Sequence, residues 1–294
     1  MKSEIIKPEL CNGFENRDKR DGGSFDIGGS TKALPHWDSC RGGCHKTAAN
    51  GNSISKGFAD KNVPYLLTNS ESHCEIRVKQ INLEEEIFRK NEELASKLRV
   101  EFSKKGIFVV NILGSPGCGK TTFLKALAAE LGKERVYVIE GDLESDIDTQ
   151  ALINFGVRAY QINTLGGCHL DAPMIEKAMQ KISLKKGDIL FIENVGNLVC
   201  PAEFEIGEHI KVVLSSVPEG SDKPYKYPIV FEKASAVVLT KTDILEHFDF
   251  DKAFFENGVK KLNKLASIFE TSAKNSGGIS EFSNWLLGKV KEIL

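Results

Sequence analysis

The chain has 294 residues, with 39 Lys and Arg against 41 Asp and Glu and a formal charge of −2; this leaves room for one or two domains and gives no basic footprint for nucleic acid. Its apolar runs are far too short to span a bilayer, and the charged stretch from Met1 to Glu9 lacks the apolar core of a secretory signal, so a cytoplasmic protein is expected. Seven cysteines, an odd number in a long chain, read as free thiols in a reducing compartment, with metal binding as one use.

Residues 1–78 are rich in Gly, Ser, Asn, Lys and Asp and carry no sustained apolar period, a composition expected to be weakly ordered. Within them His36, Cys40, Cys44 and His45 cluster, with Cys11, His73 and Cys74 further off. Cys40-x-x-x-Cys44-His45 lacks the paired Cys-x-x-Cys knuckles of a structural zinc site, so it is a thin metal signal, with adventitious binding or none the expectation. Residues 79–105 then form one long amphipathic pattern, with Ile81, Leu83, Ile87, Leu94, Leu98 and Val100 at near-helical spacing. Asn82 and Glu85 make a capping-box pattern at its start and Gly106 ends it. Its apolar face is expected to pack on a sheet rather than on a partner protein.

From Gly106 onward short β-type runs alternate with helical patterns. The expected strands are 107–113, 135–140, 158–162, 188–193, 210–215, 235–240 and 268–271. Alternation of this kind argues for an α/β fold, a mostly parallel sheet of about seven strands with helices on both faces, and places the chemistry beyond the carboxyl ends of the strands.

After the first strand comes Gly114-Ser-Pro-Gly-Cys-Gly-Lys-Thr121, followed by a helical pattern to Leu131. Strand, glycine-rich turn and helix are the setting of a phosphate-binding loop. Backbone N–H groups around Gly114, Gly117, Cys118 and Gly119 and at Thr122 would cradle phosphates at a helix N-terminus. Lys120 would reach the β- and γ-phosphates, and the Thr121 hydroxyl would ligate Mg²⁺. Cys118 reads only as a small side chain. The second expected strand ends in Glu140-Gly-Asp142 and the fourth in Glu193-Asn-Val-Gly196, which brings carboxylates to the same rim. Asp142 is the first candidate for an outer-sphere Mg²⁺ ligand or water positioner, Asp146 the second, and Glu193 stands where an acid is often offered. Glu144 and Asp148 read as solvated loop carboxylates. Gly196 would let its N–H approach a γ-phosphate, making 193–200 a switch candidate.

Two later strings complete the nucleotide elements. Thr240-Lys-Thr-Asp243 and Ser272-Ala-Lys274 resemble the guanine-reading elements of GTPases. Asp243 would accept from guanine N1–H and N2–H₂, which adenine does not offer. The stem of Lys241 would cover the base, and the Ala273 N–H would donate to O6. Thr240 stands where Asn is more usual, leaving one supporting hydrogen bond open.

Cys168-His169 follows the third expected strand and Cys200 follows the fourth. Two thiolates and an imidazole suit Zn²⁺, Ni²⁺ or Cu²⁺, with a fourth position left to water or to a second copy across a two-fold axis. Two buried thiols and a surface histidine fit the spacing equally well, since sequence alone does not bring Cys200 beside Cys168.

Taken together, Gly114 to Thr122, Glu140-Gly-Asp-Leu-Glu-Ser-Asp-Ile-Asp148, Gly167-Cys-His-Leu-Asp171, Phe191-Ile-Glu-Asn-Val-Gly-Asn-Leu-Val-Cys-Pro201 and Lys223-Pro-Tyr-Lys-Tyr-Pro228 resemble the HypB family, the GTPases that help insert nickel into the large subunit of nickel–iron hydrogenase. The resemblance covers residues 79–294. It implies a P-loop GTPase fold of the signal-recognition-like class, a homodimer formed on GTP binding, and Cys168, His169 and Cys200 as the metal site. It further implies that Lys226, ahead of Lys223, reaches nucleotide phosphate from the partner subunit, and that a HypA-type nickel chaperone and the hydrogenase precursor are partners. The N-terminus departs from the family: Met1-Lys-Ser-Glu stands where some members have Cys-x-x-Cys-Gly-Cys, and no His-rich tract follows. Cys40, Cys44 and His45 would at best be a diverged substitute. Other readings are a urease-type nickel GTPase, whose metal motif is usually Cys-Pro-His, a P-loop small-molecule kinase, and a non-catalytic metal store.

Overall fold

The computed structural model describes residues 83–294; the segment 1–78 with Cys40, Cys44 and His45, and positions 79–82 of the expected first helix, lie outside the described residues. In chain order the elements are α1 (Leu83–Lys105), β1 (Phe108–Gly114), α2 (Lys120–Leu131), β2 (Val136–Asp142), α3 (Ile147–Asn154), β3 (Arg158–Asn163), α4 (Ala172–Met179), β4 (Ile189–Glu193), α5 (Cys200–Glu203), β5 (Ile210–Ser216), α6 (Lys223–Lys226), α7 (Pro228–Glu232), β6 (Ala236–Thr240), α8 (Lys252–Leu262), β7 (Ser267–Glu270) and α9 (Ile279–Ile293). The seven strands make one sheet in the order β3-β2-β4-β1-β5-β6-β7, every pairing parallel. Each lies within two residues of its expected bounds.

Parallel strands covered on both faces become continuous apolar runs, and β1, β4, β5 and β6 are buried along their whole length. Side chains alternate between the faces. Phe108, Val110 and Ile112 of β1 point into a core built with Phe123, Leu127, Phe282 and Leu286 of α2 and α9, whereas Val109 meets Ala95, Leu98, Phe102 and Ile175 of α1 and α4. Phe231 of α7 and Phe255 of α8 continue that second face beside β5 and β6. All strands point one way, so every loop at their carboxyl ends opens on a single rim.

Helix α1 packs on the sheet as expected, and of the expected apolar positions Leu94 and Leu98 face it while Ile87 and Val100 do not. Ile87 and Val100 are 53% and 52% exposed, while Asn91, Ala95, Leu98 and Phe102 are buried. A buried asparagine is tolerable because both ends of its amide are bonded: Nδ2 donates to the Glu205 carbonyl and Oδ1 accepts from the Ala172 N–H. Gly106 ends the helix as expected. At a φ of 66° it closes a Schellman turn, with Ile107 N–H on the Phe102 carbonyl and Gly106 N–H on that of Ser103.

Candidate functional site

Glycines shape the loop between β1 and α2 where a side chain has no room. A Cβ on Gly114 would lie 2.5 Å from Cys118 Sγ and 2.9 Å from the Leu214 carbonyl oxygen, and Gly119 takes a φ of 95° just before α2 begins. The N–H groups of the first turn of α2 face outward from there, a ready anion cradle. Lys120 folds back over the loop, its Nζ 3.4 Å from the carbonyl oxygens of both Gly114 and Ser115. Cys118 is buried, which pushes its thiol up to about 11; it fills space and stays protonated.

In front of this loop lies a cleft of about 470 Å³, lined on its far side by Glu140, Asp142, Asp148 and residues 193–196. Glu140 and Glu193 are register neighbours on β2 and β4. Glu193 Oε1 accepts from the Thr121 hydroxyl at 2.9 Å, and Glu140 Oε2 from that of Thr149 at 2.9 Å. Burial pushes both carboxyls up to about 7. Glu193 Oε2 is buried and has no partner, an orphaned acceptor beside the Thr121 hydroxyl that fits a hydrated Mg²⁺.

Of the loop carboxylates, Asp142 and Asp148 line the cleft; Asp146 stands exposed at the N-cap of α3, two residues before Asp148 in its first turn. Gly196 also lines the cleft, and the neighbour that requires a glycine there is the P-loop itself: a Cβ would lie 2.9 Å from Pro116 Cγ.

A second pocket of about 210 Å³ opens next to the P-loop, with Lys241, Asp243, Ala273 and Lys274 on its wall. Ser272 donates its hydroxyl to Asp243 Oδ1 at 2.7 Å, which fixes the carboxylate and leaves its other oxygen for a ligand. Thr240 Oγ1 donates to the Cys118 carbonyl at 2.6 Å, and Lys241 Nζ to that of Gly117 at 2.8 Å. The supporting bond left open by the Thr-for-Asn exchange is therefore made here by a hydroxyl. Lys226, by contrast, is exposed at the end of α6 and pairs with Asp222 at 2.5 Å, away from the cleft of its own chain; Lys223 pairs with Glu219 at 3.8 Å.

On the same rim, Cys168, His169 and Cys200 bring one donor atom each to within 4.8 Å of one another. The sheet order explains it. β3 and β4 flank β2, so the loops following them leave the sheet only about 10 Å apart, and Cys200, at the start of α5, turns back toward Cys168. A hydrogen bond with Cys200 raises the Cys168 thiol, and burial lowers His169, which keeps the imidazole neutral and ligand-competent. His169 stacks on Phe204 with ring centroids 3.9 Å apart, and Phe204 in turn meets Phe88 of α1 at 4.8 Å. Two thiols and a neutral imidazole suit a borderline-soft divalent cation.

The stretch from β1 to β7 matches a known family model. It is described as CobW/HypB/UreG, nucleotide-binding domain, and covers residues 108–270, which makes the class that of P-loop nucleotide-binding proteins. Curated relatives narrow the class. The hydrogenase maturation factor HypB of Azotobacter chroococcum is 42% identical over 209 residues, 71% of this chain and 68% of that protein. The hydrogenase/urease maturation factor HypB of Helicobacter pylori is 42% identical over 218 residues, 73% of this chain and 90% of that protein. The chain belongs to the HypB family. Among solved structures, HypB from Helicobacter pylori in complex with nickel superposes with a TM-score of 0.66 at 42% identity, over 69% of this chain and 96% of that one. HypB from Archaeoglobus fulgidus gives 0.64 at 36% identity, over 69% and 99%.

Glu140, Asp148, Asn194 and Phe204 escaped the sequence reading as site residues. Only Glu140 left a usable signal, an acid inside a run of otherwise apolar strand residues.

Proposed function

We propose that this protein is a GTP-hydrolysing metallochaperone that assists nickel insertion into the large subunit of nickel–iron hydrogenase. One observation carries the reading. The single segment leaving β4 bears Glu193, bonded to Thr121 in the phosphate cleft, and, seven residues on, Cys200 in the Cys168–His169 cluster. A change of nucleotide state that moves residues 193–200 therefore moves a metal ligand.

In this account GTP lies with its phosphates on the P-loop N–H groups and Lys120, and its guanine against Asp243, Ala273 and Lys274, with Lys241 over the base and Ser272 holding Asp243. Thr121 and Glu193 would hold Mg²⁺, with Asp142 beyond it; when bound, the ion supplies charge neutralisation between the phosphate oxygens. Glu193, Asp142 and the Gly196 N–H position the attacking water and the γ-phosphate, and Lys120 offsets the charge that develops on the leaving oxygens. Nickel is the cargo at Cys168, His169 and Cys200, where Zn²⁺ competes for the same donors.

Exposed apolar side chains support a partnered rim. Leu165, in the loop after β3, is 88% exposed and Ile147, the first residue of α3, 74%, as suits a homodimer that closes there on GTP binding, with Lys226 presented to the partner's nucleotide. A HypA-type nickel chaperone and the hydrogenase precursor complete the proposed partners, and the setting is the cytoplasm. Cys168-His169, without an intervening proline, favours the hydrogenase reading over the urease-type one, and a Ser272-braced Asp243 has no purpose in a kinase indifferent to the base. Turnover of GTP and nickel titration of Lys120→Ala and Cys200→Ala test the two halves. Lys120→Ala is expected to lose hydrolysis and keep metal binding with GDP, and Cys200→Ala the reverse. Hydrolysis in Lys120→Ala at the wild-type rate, or nickel bound by Cys200→Ala at wild-type affinity, contradicts the proposal.

A further inference from the structure

Three amide and carboxylate side chains buried beneath the rim form a continuous chain of hydrogen bonds that neither phosphate binding nor metal ligation accounts for. Asn111 of β1 and Asn194, just past β4, are 0% and 1% exposed, and Glu208 is 4% exposed. Asn194 Oδ1 accepts from the Leu170 N–H at 3.1 Å and from its neighbour Val195 at 3.0 Å, and its Nδ2 donates to Asn111 Oδ1 at 3.4 Å. Asn111 Nδ2 donates onward to Glu208 Oε1 at 3.3 Å, and Glu208 Oε2 accepts from the Ile206 N–H at 2.8 Å. Lys211 neutralises Glu208 at 2.9 Å. Buried polar groups are retained only when bonded, because an orphaned amide keeps its full desolvation cost with nothing to offset it.

The members of this chain belong to three different parts of the site. Asn194 itself lines the phosphate cleft. Leu170 directly follows His169, and Ile206 lies six residues past Cys200 in the segment that carries it away from the rim. We propose that Asn194 is the positioning residue through which the nucleotide state sets the geometry of the Cys168, His169 and Cys200 cluster; this rests on the reading of that cluster as the nickel site. The bonds to Leu170 and Asn111 are already 3.1 and 3.4 Å long. A displacement of the 193–196 strand end by roughly 1 Å takes both beyond hydrogen-bonding distance and frees the backbone next to His169. Asn91 provides the contrast. It grips the same two segments, through the Ala172 N–H and the Glu205 carbonyl, but it sits on α1 and does not touch the cleft. It therefore holds the cluster without reporting the nucleotide.

The test is Ni²⁺ titration of the full chain, with GDP and with a non-hydrolysable GTP analogue, for wild type, Asn194→Ala and Asn91→Ala. Wild type is expected to show at least about a fivefold difference in affinity between the two states, the lower end of typical coupling. Asn194→Ala is expected to bind nickel with a ratio within about twofold of one. Asn91→Ala should weaken binding by roughly tenfold in both states and keep the wild-type ratio. A wild-type ratio preserved in Asn194→Ala overturns the proposal, as does a ratio lost equally in Asn91→Ala, which would make the effect one of general loosening. A wild-type ratio of one instead sinks the switch reading itself. Amide hydrogen exchange at Leu170 in wild type reads the same bond without a variant. About a tenfold change in protection between nucleotide states is expected, and equal protection overturns the role of Asn194 even where Asn194→Ala fails to fold.

Discussion

Asp243 and Ser272 show how a single hydrogen bond prepares a recognition residue. With the Ser272 hydroxyl at 2.7 Å, the carboxylate is already aimed, so little rotamer freedom remains to be lost when a base arrives. Hydrogen bonds to a charged group contribute about 1.5–3 kcal/mol; Asp243→Ala is therefore expected to weaken GTP binding by roughly 10- to 150-fold while leaving ATP binding unchanged, as a competition titration with fluorescent nucleotide would show. Equal losses for both nucleotides would remove Asp243 from base recognition. Residues of this kind were legible because their motifs fix them at set offsets from strand ends. Asn194 was not, since what makes it notable is burial against Leu170, a partner that sequence does not place beside it. Asp148 lines the cleft from the first turn of α3, a placement that depends on where that helix starts.

At the level of elements, the strands were readable because buried parallel β-structure leaves unbroken β-branched runs, whereas the face of α1 was so only in part. Its buried face runs through Asn91 as well as Ala95, Leu98 and Phe102, and an apolar count passes over the asparagine. The α1–β1–β5 junction is also pH-sensitive. His209 Nδ1 accepts the Val109 N–H at 2.9 Å and its ring stacks on Phe108, so the fold requires the neutral imidazole; burial, with Arg99 nearby, lowers it to about 4. A folded-state value below the usual 6.5 means this contribution is present above about pH 6.5 and is lost as pH falls toward 4. Thermal unfolding is expected at a lower temperature at pH 5 than at pH 7, with a smaller drop in His209→Gln; identical drops would assign the acid sensitivity elsewhere. Across the sheet, Phe282 of α9 packs edge-on to Phe123 and Phe269 and is fully buried. Phe282→Ala is expected to cost about 3–5 kcal/mol in denaturant unfolding, and a loss under ~1 kcal/mol would mean that the α2–α9 layer repacks freely.

For the molecule as a whole, strand order brings a nucleotide cleft and a thiol–imidazole cluster to one rim and runs one segment through both. None of the described helices is long and apolar enough to cross a membrane, and the apolar side chains left exposed at the rim suit a second copy of the chain. Sedimentation is accordingly expected to show a dimer with a GTP analogue and a smaller species with GDP, and a monomer in both states would leave Lys226 without a phosphate to reach. The proposed coupling of nucleotide and metal runs through residues 193–200. The most direct measurement is nickel titration of the wild-type chain in the GDP state and in the GTP-analogue state. Coupled sites give affinities that differ by at least about fivefold, near 1 kcal/mol of coupling; the same affinity and stoichiometry in both states would rule the coupling out.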